Sequence, residues 1–443
     1  MITILDQFNR EAKDLHHSLQ VSGFTGPVIV VQDDGFLPDG VLSAYSYFCG
    51  FGDGVGKPLY FNQVPVQNFW EITGTSRDGE IWDYDVLRGK IFFAEPSYRR
   101  LVKAVDWMDR AGKVRYTDHY NRFGKLFART SFNEQQVANT KSYYDSQGVE
   151  VIVENYLTAD IILNWQGQTR LFPDKASFFR YFLEVLGLET NRVLYNSLSY
   201  PFFITYALQG PGEDILFWQE GLNGAIPGNM QLKLAKTSRN QRILVQDKAT
   251  YQQMLDLLPE EQRSRISHLG MIYPDRRVNG GSKNILIVTN SDQIQHFDFL
   301  LDSLPDYHFH VAALTEMSSR LMQYGTRNQV TLYPNVRQDA LTNLLETCDI
   351  YLDVNHGSEV EGVVRRAFEY NQAIFAFENT AHNRHLTLPE NIVLFSQANK
   401  MIEGIKRFVD SPSDFIVKQR TGLGQETQVA YQKALGEEVE VNG

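Results

Sequence analysis

Two doubly wound α/β units, the first carrying an inserted antiparallel β-meander, form the fold class that three patterns predict. Short apolar strands alternate with helical segments at the start of the chain and again from residue 173 onward. Residues 57–172 change character and are rich in Tyr, Phe, Trp, Val and Thr, punctuated by glycines. Inside that stretch an Asp/Asn-x-x-Gly signature recurs every twelve residues. Alternating strands and helices argue parallel sheets, whereas turn-punctuated strands argue antiparallel hairpins.

The chain opens on MITIL, an amphipathic stretch at 9–19 and the strand PVIVVQD. The repeated turns start at Asp109 (DRAG), Asn121 (NRFG) and Asp145 (DSQG), with a degenerate copy at Asn133 (NEQQ) in the same phase. Asp or Asn at the first turn position and Gly at the fourth suit a type I turn closed by a bulge. NWQG at Asn164 extends the series. Beyond Pro173, RVLYNS, DILFWQE, RILVQD and ISHLGMIYP read as strands, separated by the helical SFFRYFLEVL, PFFITYAL and ATYQQMLDLL. The polar, glycine-rich PDRRVNGGS is a linker. The second unit follows with strands NILIVTN, HFHVAAL, VTLYPNV, CDIYLDV and AIFAFEN. The expected organisation is a first unit at 1–56 and 173–273, a meander at 57–172, a second unit at 283–423, and a helix and tail at 424–443.

Composition narrows the function. The net charge of −11 over 443 residues argues against a nucleic-acid grip, which needs a basic face. Cys49 and Cys348 share no metal-type spacing and read as buried thiols in a reducing cytosol. The charged first twenty residues are no signal peptide, and no apolar run is long enough to span a membrane. The expected location is cytoplasmic, with any contact at the inner face of the cell membrane peripheral and made through a partner. Neither a cofactor nor a metal is expected. Asp106, Asp109 and Asp118 fit turns and exposed strand positions better than a metal site.

Ligands of doubly wound sheets sit at the carboxyl ends of the strands. After NILIVTN that place holds Asn290, Ser291, Asp292, Gln293, Ile294 and Gln295, with no basic residue. A transferase that releases a diphosphate without a metal needs an Arg/Lys pair, a helix N-terminus or free backbone amides there. Losing one preorganised donor costs ~2.7–4 kcal/mol of transition-state stabilisation, so losing two costs at least ~10⁴ in rate. Glu361 and Glu369 stand eight apart at a strand-to-helix junction. Arg365 and Arg366, between them, suit an anion contact or a solvated or interface role. At the first unit's corresponding position, Asp6–Gln7–Phe8–Asn9–Arg10–Glu11 holds no glycine to admit a ligand close to the backbone.

The stretch 284–379 resembles the C-terminal half of the GT-B retaining glycosyltransferases. That resemblance implies an Arg and a Lys after the first strand, a second glycine where Val364 stands, a glycine-rich loop where residues 6–11 stand, and Glu361 and Glu369 on donor sugar and ribose. Three of these parts are altered together. Over nearly its full length the chain resembles the GtfB family, the stabilising subunits of O-GlcNAc transferases for serine-rich repeat adhesins. LDQFNREAKDLHHSL, LYFNQVPVQNFWEI, DHYNRFG, ADIILNWQG and FAFENTAHN carry the likeness. It implies a GT-B-like frame of two Rossmann-like units with an inserted β-sheet. It also implies a catalytic partner, GtfA, in an assembly with two copies of each chain. An adhesin acceptor and a link to accessory Sec export are implied as well.

Candidate residues follow. In KVRYTDHY, Val114, Tyr116 and Tyr120 alternate with Arg115, Thr117 and His119 across a strand. With Phe123 nearby, Tyr116, His119 and Tyr120 are candidates for a partner or acceptor surface, or for ordinary cross-strand packing. His356, Glu361, Arg365, Glu369, Asn379 and His382, with Arg384 beside them, are candidates for holding an acceptor sugar or for a hydrogen-bonded loop. The leading expectation is a non-catalytic co-activator with no catalytic residue of its own. The alternative is an active retaining UDP-GlcNAc transferase using Glu361 and Glu369 with Arg365. A free-standing carbohydrate-binding protein is the third reading.

Overall fold

Strands of MITIL, PVIVV, RVLY, DILFW and RILV are buried almost end to end, as parallel strands covered by helices on both faces must be. The computed structural model describes residues 1–52, 54–235 and 238–436 and divides into two units, Met1–Leu269 and Gly270–Gly443. In the first, seven parallel strands run in the order Ile266–His268, Asn240–Val245, Glu213–Trp218, Arg192–Tyr195, Ile2–Leu5, Val28–Val30, Val41–Leu42. Helix Arg10–Val21 starts where the Asn9 side chain accepts from the Ala12 amide. Helix Lys175–Val185 starts on the equivalent cap from Asp174 and buries Phe178, Phe179 and Phe182. The expected strand ISHLGMIYP is shorter in the structure, only Ile266–His268.

The meander is a ten-stranded antiparallel sheet whose strands pair in sequence order from Glu71–Gly74 to Gln168–Phe172. The four-turn repeat is present in every copy. Asp109 Oδ1 accepts from Ala111 and Lys113, Asn121 Oδ1 from Phe123 and Lys125, Asn133 Oδ1 from Gln135 and Val137, and Asp145 Oδ1 from Gln147 and Val149. Gly112, Gly124 and Gly148 take the left-handed conformation at the fourth position, and Gln136 takes it in the degenerate copy. The Gln136 carboxamide compensates by clasping the Val114 backbone, accepting from its N–H at 2.8 Å and donating to its carbonyl at 3.1 Å. NWQG departs from the series: Gln166 and Gly167 alone link two strands, both with positive φ, the I′ geometry that twisted hairpins favour.

The two faces of this sheet differ. On one, Phe127, Tyr143, Ile152, Ile161 and Leu163 pack with Tyr45, Phe48, Phe178 and Phe182 in the core of the first unit. The other is crossed by a cross-strand row, Ile91–Val105–Asp118–Arg129–Ser142–Val153–Ile162–Leu171. Leu59, Phe61, Val64, Val66 and Trp70 cover the first part of that face over Ile81, Ile91, Val105 and Tyr120. Val153 and Ile162, half-buried, and Leu171, 67% exposed, continue the row beyond this cover.

The second unit has six parallel strands in the order Val330–Tyr333, His308–Ala312, Asn284–Val288, Ile350–Asp353, Ala373–Phe377, Ile392–Val393. This 3-2-1-4-5-6 order places the ligand crevice between the first and fourth strands, Asn284–Val288 and Ile350–Asp353. The terminal helix Gln428–Leu435 belongs to this unit, and its Tyr431 hydroxyl donates to the Gly270 carbonyl at 2.8 Å. The end of the expected tail, 437–443, lies outside the described residues.

Candidate functional site

Three carboxyl-terminal strand ends of the second unit converge on an amide network. Thr289 Oγ–H donates to Asn355 Oδ1 at 2.8 Å, and Asn355 Nδ2 donates to Asn290 Oδ1 at 3.0 Å. Asn290 Nδ2 donates in turn to Ser358 Oγ at 2.9 Å. The segment after the first strand then crosses the strand ends as a strap. Ile294 bridges Asn355, Gln295 N–H donates to the Val354 carbonyl, and His356 N–H donates to the Gln293 carbonyl. A Cβ at Gly357 would overlap Asn290 Oδ1 and displace the Asn290 side chain from this network. The chain's own amides therefore line the topological switch point.

The candidate site residues separate into three groups. His356 and Asn379 meet on the Gln295 side chain, at 2.6 and 3.3 Å. His382 forms a clip beside them. Its Nδ1 lies 2.5 Å from Asp353 Oδ1 and its Nε2 lies 2.7 Å from the Gly357 carbonyl. Both partners are acceptors, so the ring is favoured as a doubly protonated imidazolium. The Asp353 hydrogen bond, against the opposing effect of burial, raises its pKa to about 9. Arg384 donates to the Glu378 carbonyl.

Glu361 is held apart from these, in the left-handed conformation, with Oε2 accepting from Gln338 Nε2 at 2.7 Å. Burial raises its pKa, opposed by Gln338 and Arg366. Arg366 donates to Gln338 and to Thr342 Oγ1. Arg365, 8% exposed, pairs with Glu369 at 2.8 Å and lies over the Tyr273 ring, while Glu369 also pairs with Arg276. Glu369 thus bonds two arginines. Glu359 was not singled out in the sequence, yet its Oε1 accepts from the Val364 amide where helix Val363–Glu369 begins. Gln295, Asn355 and Asp353 were missed as well. Amides at strand ends carry no spacing signature, and only the parallel register reveals them.

In the meander, His119 lies inward against Phe127, with its ring 2.9 Å from Thr130 Oγ1. Burial holds its pKa down to about 2. Tyr120 is buried beside Val105 in the covered core. Tyr116 is half-buried beneath the Arg129 guanidinium, 4.3 Å from its ring centre, and Arg129 also pairs with Asp118. The Phe123 ring sits over Gly54 and under Arg122. Of the four meander candidates, Tyr120 is therefore interior and His119 half-buried. The row ending in Val153, Ile162 and Leu171 is the more open surface, and sequence reading missed it. Among the described residues no group of three metal-ligating side chains occurs, and no helix is long and apolar enough to cross a membrane. Both cysteines are free and buried, and burial pushes the Cys348 thiol up to about 12.

Fold and site together define a protein built on doubly wound α/β units whose switch-point crevice in the second unit is lined by its own amides. The GtfB N-terminal, middle and third domain models match residues 2–48, 70–173 and 175–257, and the GftB/GlyA-F C-terminal domain model matches 285–420. A Streptococcus agalactiae protein named as the UDP-N-acetylglucosamine–peptide N-acetylglucosaminyltransferase stabilizing protein GtfB is 49% identical over 98% of this chain and 99% of its own. The protein of the same name from Streptococcus parasanguinis is 47% identical over 86% and 87%. A chain of a crystallised GtfA/B complex bound to UDP and GlcNAc superposes with a TM-score of 0.92 at 40% identity, covering 98% of this chain and 99% of that one. A chain from the accessory secretory protein 1, 2 and 3 structure of Streptococcus pneumoniae shares the fold, with a TM-score of 0.62 at 12% identity over 98% of both. The chain belongs to the GtfB family, the stabilising proteins of the peptide O-GlcNAc transferase and not its catalytic subunits.

Proposed function

We propose that this chain works through GtfA, holding that catalytic subunit in an active, soluble form and helping to present a serine-rich adhesin to it during protein O-glycosylation. The observation that carries this reading is the filled switch point. Thr289, Asn290, Asn355 and the strap 290–295 bond to one another there, Arg365 is bound to Glu369, and Glu359 sits on the Val364 amide. A diphosphate would have to displace neutral amides, and the nearby cationic side chains are already bound, His382 to Asp353 and Arg365 to Glu369. The crystallised GtfA/B complex supports GtfA as the partner.

The reading extends to two copies of each chain, to a GT-B-like fold class, to a cytoplasmic site of action peripheral to the membrane, and to a link with accessory Sec export. The surface for GtfA is the uncovered half-face of the meander, where Val153, Ile162 and Leu171 form an apolar row. Co-expression tests the core of the proposal. GtfA with this chain should give more soluble GtfA and transfer to a Ser-rich peptide, and this chain alone should give no turnover of UDP-GlcNAc. Turnover by the chain alone that disappears in Glu361→Gln would establish the enzyme reading instead.

A further inference from the structure

The two edges of the ten-stranded meander sheet are finished differently. At one, strand Gln168–Phe172 closes a hairpin in which Trp165 pairs with Gln168 across a two-residue turn. Hydrogen-bonded pairs alternate along such a hairpin, so the backbone groups of Thr169, Leu171 and then Pro173 face outward. Proline offers no N–H, and this edge is blunted after two positions. At the other edge, strand Glu71–Gly74 is the last in the sheet and pairs with Asp78–Asp83 in regular register. Thr75 N–H donates to the Asp78 carbonyl at 2.9 Å, which sets the alternation. Thr73 bonds inward to Glu80, and Ile72 and Gly74 turn their N–H and C=O groups outward. The sequence EITGT at 71–75 carries neither proline nor lysine to guard these groups.

The corner beside this edge sets aromatic surface out into solvent. Phe69 is 92% exposed and Tyr84 is 89% exposed, and both hold a left-handed backbone conformation that is costly for a non-glycine residue. Continuing the Glu71–Trp82 pairing brings these two rings to one corner of the sheet. Glu71, Thr73 and Arg77 are exposed as well. The edge is complementary to itself. An antiparallel second copy, related by a two-fold axis at Thr73, opposes Ile72 to Gly74, Glu71 to Thr75 and Phe69 to Arg77 of the other copy. Ile72 and Gly74 are the outward-facing residues, so each such pair exchanges both N–H···O=C bonds. Thr73 meets its own copy at the closer, non-hydrogen-bonded spacing, a favourable Thr–Thr pair. Arg77 falls beside the Phe69 ring and within side-chain reach of Glu71. A single alignment therefore completes the ladder, covers Phe69 and joins opposite charges.

We propose that the edge Glu71–Gly74 pairs with the same edge of a second copy of this chain, about a two-fold axis at Thr73. The proposal rests on the two-copy assembly above and assigns that assembly a contact. Sedimentation velocity of the full chain, alone and with GtfA, tests it. The strand is four residues long, so the contact is of the small, weak class, and the chain alone should dimerise toward roughly 0.1 mM. Thr73→Lys and Thr73→Glu each oppose like charges at the axis, and each should weaken the dimer at least about tenfold. Thr73 is exposed, so both variants should unfold close to wild type. An equimolar mixture of the two should recover the dimer, which a folding defect in either would not allow. Arg77→Glu, in the exposed turn, should weaken the dimer several-fold. A wild-type chain that stays monomeric throughout, or a dimer that Thr73→Lys leaves unchanged, overturns the contact. Loss of GtfA binding in Thr73→Lys overturns it too, by giving the edge to GtfA. A GtfA complex of Thr73→Lys that keeps two copies of each chain overturns the edge and leaves the assembly intact. A wild-type complex with one copy of each refutes the two-copy reading itself.

Discussion

The Glu359 carboxylate accepts the Val364 backbone N–H at 3.2 Å, so an anion of the chain's own stands at the start of helix Val363–Glu369. In doubly wound proteins that bind nucleotides, a helix start of this kind faces the ligand's phosphate. Here the amide is already used, and the nearest buried guanidinium, Arg365, is bound to Glu369.

The first expected outcome concerns nucleotide. Isothermal titration of the chain with UDP or UDP-GlcNAc to 1 mM (on the order of a −4 kcal/mol threshold) should show no binding heat. Glu359→Gln should not create any, because removing one carboxylate supplies no cation. Micromolar UDP binding that Arg365→Ala abolishes would overturn the filled-crevice reading.

Much of this frame is legible in the sequence. The apolar runs located the parallel strands because burial on both faces leaves no polar position in them, as in Ala373–Phe377. The twelve-residue phase of Asp109, Asn121, Asn133 and Asp145 located four hairpins because turn chemistry is local. What stayed hidden was non-local. That Arg365 meets Glu369 and Tyr273, that Gln295 reaches His356, and that residues 59–70 cover Tyr120 depend on long-range register and packing. Alternation in KVRYTDHY separated Tyr120 from His119, yet Tyr120 proved buried and His119 half-buried because each face is covered at that point.

Gln136 tests the degenerate turn. A non-glycine residue in the left-handed region costs about 1 kcal/mol, and the two bonds to Val114 offset it by roughly 0.5–1.5 kcal/mol each. Gln136→Ala keeps the strain and loses both bonds, so urea unfolding should show a loss of about 1–3 kcal/mol. Gln136→Gly relieves the strain and should be about 1 kcal/mol more stable than the alanine variant. Equal stability of the two variants would show that the clasp, and not the backbone, sets the energy there.

His382 gives the chain a pH dependence of known sign. Its folded pKa, raised to about 9 by Asp353, lies above the ordinary value of 6.5. The stabilisation is therefore complete below about pH 6.5 and is lost as pH rises through about 9. The urea midpoint should fall between pH 7 and 9.5 in the wild type and fall less in His382→Gln. Parallel profiles for the two proteins would remove the imidazolium clip from the account.

Partner docking is best tested without deleting the meander. Its inner face supplies Phe127, Tyr143, Ile152 and Leu163 to the core that holds Tyr45, Phe48 and Phe178, so removing residues 57–172 would strip that core and confuse folding with binding. The outer row separates the two. Leu171 is 67% exposed, and an exposed substitution normally changes stability by under about 0.5 kcal/mol. Leu171→Arg and the neighbouring Ile162→Arg place a charge on an apolar face that a partner would have to desolvate. Affinity for GtfA should fall at least tenfold in surface plasmon resonance, with unfolding midpoints close to wild type for Leu171→Arg. Full affinity in both variants would move the partner to another face, since an apolar row buried at an interface cannot absorb two guanidinium groups without cost.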